Sequence, residues 1–66
     1  MIAFQVDDMT CGHCVRAITE AIQNIDKHAK VEIDLARHRV EIEQANADAR
    51  AFADAISEAG YTPLPG

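Results

Sequence analysis

The chain has 66 residues, enough for one domain spanning 1–66, with one core between two layers and little room for a deep cavity ringed by catalytic groups, so an enzyme is not expected. Apolar residues make up 48% of it, with Ala, Ile and Val prominent, which excludes a disordered chain. A formal net charge of −5 disfavours non-specific binding to nucleic acid.

Ile2, Phe4 and Val6 alternate with Ala3, Gln5 and Asp7, the period of a half-buried strand. The alternation stops at Asp8-Met9-Thr10-Cys11-Gly12-His13-Cys14, where Gly12 marks a loop. Val15, Ile18, Ile22 and Ile25 then share one helical face with Ala21 beside them, and Asn24 to Lys27 closes this helix. Val31, Ile33 and Leu35 form a second alternating set, and Val40 and Ile42 a third. The short connection Ala36 to Arg39 makes these two an antiparallel hairpin. Asn46 or Asp48 is placed to cap a second helix, whose stripe is Ala49, Phe52, Ala53 and Ile56. Gly60 suits the left-handed position that ends a helix. Tyr61 to Leu64 is a short last segment. Pro63 lacks an N–H and confines it to a sheet edge.

The order is strand, helix, strand, strand, helix, strand. It predicts an α+β, ferredoxin-like βαββαβ fold with a four-stranded antiparallel sheet and two helices on one face. The other face would carry Gln5, Glu32, Asp34, Glu41 and Glu43.

No apolar run approaches the roughly 20 residues that cross a bilayer, so membrane insertion is not expected. The first strand pattern starts at Met1 and Ile2 with no signal segment before it, so the expected location is cytoplasmic. In a reducing compartment a Cys-x-x-Cys pair points to metal binding or redox chemistry.

Cys11 and Cys14 follow a strand and open a helix. The two-residue spacing lets a turn aim both sulfurs at one point. The unpaired N–H groups of a helix start favour thiolate and lower a thiol pKa from ~8.5. Thiolates select soft ions, and structural zinc usually takes four ligands, for which no second Cys pair exists here. A two-sulfur site suits Cu(I), and an under-coordinated ion is easy to hand on.

With this setting the chain resembles the heavy-metal-associated domain family over its full length, and within it the bacterial CopZ-like copper chaperones. Met9-Thr10-Cys11-Gly12-His13-Cys14 matches the family's M-x-C-x-x-C loop, and Gly60-Tyr61-x-Pro63 is similar to its closing segment. The resemblance implies that Cys11 and Cys14 bind Cu(I) and pass it by ligand exchange to the metal-binding domain of a copper-transporting P-type ATPase. It makes Cys11 the first point of exchange and places Tyr61 near the metal loop, an aromatic choice that leans bacterial. A homodimer bridged by a shared copper ion is a further expected assembly.

Other roles stay open beside these. Met9 reads as a core plug and secondarily as a thioether ligand. His13 reads as an exposed loop residue that tunes the thiolates. His28 and His38 read as solvated turn residues, Arg16 as solvated or as a docking contact, and Tyr61 as packing or as a shield over the site. Three rival functions share the motif. Cys-Gly-His-Cys also occurs in thiol–disulfide enzymes, but those carry a Trp before the first cysteine, where this chain has Thr10. A metal-binding domain of a heavy-metal transporter would present the same site. Zinc, cadmium or mercury relatives would recruit a carboxylate such as Asp7 or Asp8, or travel with a signal sequence.

Overall fold

The computed structural model describes all residues, 1–66. The elements are β1 (Ile2–Gln5), α1 (Gly12–Ile25), β2 (Lys30–Asp34), β3 (Arg39–Glu43), α2 (Ala49–Glu58) and β4 (Leu64–Pro65). The strands form one antiparallel sheet in the order β2-β3-β1-β4, the ferredoxin-like arrangement expected from the alternation of elements. None of the helices is long and apolar enough to cross a membrane.

Register decides which face of the sheet is dry. Ile2 pairs with Ile42, Phe4 with Val40, Val31 with Ile42 and Ile33 with Val40, so these six side chains share one face. The two helices cover that face with Ile18, Ile22, Phe52 and Ile56, each fully buried. The opposite face carries Gln5, Glu32, Arg39 and Glu41, with Arg39 Nε donating to Glu41 Oε2 at 2.9 Å. At the margins, β2 alternates Lys30, Glu32 and Asp34 outward, and β4 is only two residues long and ends in Pro65.

Asp48 is the N-cap of α2, and its side chain accepts from the Ala51 N–H. Beyond the C-cap Ala59, Gly60 takes φ +100. Tyr61 N–H then bonds the Ile56 carbonyl and Gly60 N–H the Ser57 carbonyl, a Schellman closure that turns the chain back towards the sheet.

Two local expectations change. Ile25 is 45% exposed, although it continues the α1 stripe. The last turn of α1 meets Ala55 and Ala59 of α2, whose small side chains leave it uncovered. On α2, Ala49 is exposed and Ala55 is buried in its place.

Asp26 does more than end α1. It is the one buried polar residue, and its carboxylate accepts from the backbone N–H groups of His28, Asn46 and Ala47. It thereby ties the end of α1 to the loop before α2. The N–H groups of Ala47 and Asn46, and then that of His28, hold its carboxyl below the ordinary 3.8. A depressed folded pKa stabilises the fold above the unfolded value and loses that contribution as the pH falls through the folded one. Acid unfolding should therefore gain a component below pH 3.8 that Asp26→Ala lacks, the variant being less stable at neutral pH. Denaturant melts of both proteins across the acid range would show it.

Candidate metal centre

The metal-site candidates sit where β1 hands over to α1. Cys11 is the N-cap of α1, with φ −149 and ψ 167, and Cys14 occupies the first helical turn. The Cys14 and Val15 N–H groups both bond the Cys11 carbonyl. No acidic side chain lies in that first turn, so nothing competes with the sulfurs for the positive end of the helix.

The two thiols are unequal. Cys11 is exposed and Cys14 is buried, yet their sulfurs lie 3.2 Å apart as free cysteines. Cys14 is also part of the core cluster, so its position is set by packing, whereas Cys11 lies outside that cluster and is exposed.

Tyr61 completes the neighbourhood of Cys14. Its hydroxyl is the largest influence drawing the Cys14 thiol down from 9.0 to about 7, followed by the Thr10 N–H and by the thiol and N–H of Cys11, against the cost of burial. Donating to the Cys14 sulfur holds the tyrosine proton and, with burial and then the neighbouring negative charge, pushes Tyr61 up to about 12. Tyr61→Phe should consequently move the Cys14 midpoint upward from about 7 towards 9.0, leaving less thiolate at neutral pH. Ultraviolet titration of thiolate absorbance would measure this. An unchanged midpoint would deny the hydroxyl that influence.

The loop itself is tied down on two sides. Asp8 Oδ1 accepts from the Thr62 N–H, joining the loop to the segment that carries Tyr61. On the other side, His38 holds φ +56 in the β2–β3 turn, where it is half-buried rather than solvated as its turn position implied. Its ring Nδ1 lies 2.8 Å from the Met9 carbonyl. Only the folded hairpin brings this residue to the loop, so no local pattern announces it.

The other sequence candidates fall as follows. Met9 is fully buried in the core cluster, the place of a plug. His13, Arg16 and His28 are exposed. Asp7 accepts from the Gln5 amide, and with Asp8 committed to Thr62 neither carboxylate is gathered with the thiols. No group of three or more His, Cys, Asp or Glu side chains converges anywhere in the chain.

Against known proteins, residues 3–62 match the heavy-metal-associated domain model. The chain belongs to the heavy-metal-associated domain family. Among curated relatives, this heavy-metal-associated domain is 38% identical over 60 residues to the copper chaperone CopZ of Enterococcus hirae, covering 88% of this chain and 87% of that one. It is 34% identical over 61 residues to copper-transporting ATPase 2 of Rhizobium meliloti, covering 91% of this chain but 7% of that protein. A crystal structure of a gold binding protein superposes with a TM-score of 0.93 at 33% identity over 100% of both chains. The fold is thus that of a copper-chaperone-like heavy-metal-associated domain.

Proposed function

We propose that this protein is a copper chaperone that holds one Cu(I) ion between the thiolates of Cys11 and Cys14. The observation that carries the reading is the paired thiols at the start of α1, one buried and the other exposed, with their sulfurs 3.2 Å apart. A soft monovalent ion suits two thiolates and needs no third protein ligand. Zinc normally requires four ligands, and Asp7 and Asp8 are engaged elsewhere.

The two sulfurs have different tasks in this reading. A metal–thiolate bond is about 2.3 Å, so sulfurs on opposite sides of an ion stand about 4.6 Å apart. From 3.2 Å, the pair must open to receive it. Cys14 is anchored by the core, so Cys11 makes that movement, both on loading and on release. Delivery then runs by exchange. An incoming thiolate of the acceptor bonds the ion first, and the Cys11 sulfur leaves before that of Cys14.

The acceptor is the metal-binding domain of a copper-transporting P-type ATPase. The likeness of this chain to a segment of a copper-transporting ATPase supports an acceptor built on the same plan as the donor. Two copies bridged by one shared ion are the parallel assembly, formed through the same exposed sulfur. The work is that of a carrier, not a catalyst, and it belongs in the cytoplasm, where thiols stay reduced.

An anaerobic competition of the reduced protein against a Cu(I) chelator, with Zn(II) in parallel, tests this. Much tighter Cu(I) binding, at one ion per monomer or per dimer, is expected. Weak Cu(I) binding beside tight Zn(II) binding would overturn the copper reading.

A further inference from the structure

Four backbone residues separate the end of β1 from Thr10, and one residue of the β2–β3 turn holds them at both ends. Val6 N–H donates to the His38 carbonyl at 2.7 Å, and the His38 ring Nδ1 meets the Met9 carbonyl at 2.8 Å. Between these two points, Met9 N–H closes the turn on the Val6 carbonyl at 3.2 Å. Since a carbonyl only accepts, Nδ1 carries the hydrogen in this contact. Val6 and Met9 have no side-chain exposure, so the inward half of the turn is fixed by packing. Its outward half, leading to Thr10 and Cys11, starts from the carbonyl that His38 grips.

We propose that His38 is a positioning residue for the metal loop, setting the affinity for the ion through its Nδ1–H bond to the Met9 carbonyl. The proposal rests on the reading of Cys11 and Cys14 as the Cu(I) ligands. His38 touches neither sulfur. It restricts the backbone from which Cys11 projects, so that the ordering of the loop is completed on folding and need not be repeated when the ion binds. Its backbone makes this possible. At φ +56 the residue turns the β2–β3 connection so that its carbonyl faces Val6 while its ring faces Met9. Asparagine tolerates that left-handed conformation as well as any residue with a side chain, and its amide nitrogen stands where the imidazole Nδ1 stands, so it keeps an N–H donor. Glycine adopts the same conformation and has no side-chain donor.

The test uses His38→Gly and His38→Asn in the full chain, with chelator competition for Cu(I) well below each melting temperature. His38→Gly keeps the turn and loses the donor. It should bind Cu(I) about five- to tenfold more weakly, the worth of one hydrogen bond. His38→Asn, which lacks the ring but keeps the donor, should recover most of that affinity even where its melting temperature stays below that of the wild type, a recovery that a purely structural role would not produce. Wild-type affinity in His38→Gly would overturn the proposal, as would a folded His38→Asn no better than the glycine variant. Hydrogen exchange at the Met9 amide, measured without metal, separates this from the copper reading. Faster exchange in His38→Gly than in His38→Asn supports the tether even if the wild type fails to bind Cu(I), and equal exchange in the two overturns it.

Discussion

Cys11→Ser and Cys14→Ser should each weaken Cu(I) binding by more than about a hundredfold, beyond what losses in the surrounding layer of a metal site produce. A hydroxyl stays protonated at neutral pH and is a hard donor, so either change removes half of the proposed two-sulfur site. The variants should nevertheless differ in the fold. Cys11 is exposed and outside the core cluster, and its replacement should leave the melting temperature close to that of the wild type. Cys14 is 8% exposed and packs within that cluster, so a serine there puts a hydroxyl among apolar side chains and should lower it. Chelator competition and circular-dichroism melts on both variants check the two halves. Wild-type affinity in either one would remove that sulfur from the site.

Phe52→Ala should bring the chain to the edge of unfolding. Phe52 has no exposure and heads the fully buried side chains by volume. Truncating a buried phenylalanine costs about 3–5 kcal/mol, through lost burial and the cavity left behind. A chain of this length has only about 3–10 kcal/mol of total stability. The melting temperature should fall by at least ~15 °C. Ile25→Ala is the matching control. It removes a similar aliphatic side chain from a position 45% exposed, and its effect should stay within a few degrees. Equal losses in the two variants would mean that the core is not centred on α2 and the inner sheet face.

The fold was readable because its strands alternate cleanly. Ile2 and Phe4, Val31 and Ile33, and Val40 and Ile42 each keep period two, and their pairing in register puts all six on one face. What escaped reading depends on neighbours distant in the chain. Periodicity places Ile25 in the core, but only the alanines opposite it decide that it stays wet. Asp26 looks like an ordinary helix end until the loop before α2 supplies two N–H groups to its carboxylate. The site divides in the same way. Cys11 and Cys14 are neighbours by local spacing at a helix start, so the sequence brings them together. The approach of Tyr61 from the far end of the chain followed from the family resemblance, not from any local pattern. His38 had neither signal, since its contact with Met9 exists only once the hairpin and β1 are paired.

The two margins of the sheet bear on how copies of this protein meet. A bare strand edge is a template on which another chain can extend the sheet, and sheets left open in this way grow into aggregates. Here one margin, β2, sets Lys30, Glu32 and Asp34 along its length, so a copy laid beside it in parallel register would set like charges against each other, and one in antiparallel register about Glu32 would oppose Glu32 to Glu32. The other, β4, is two residues long and offers Pro65, which has no hydrogen to donate. Strand addition is disfavoured at both borders, which leaves encounters between molecules to the end of the fold where Cys11 lies exposed.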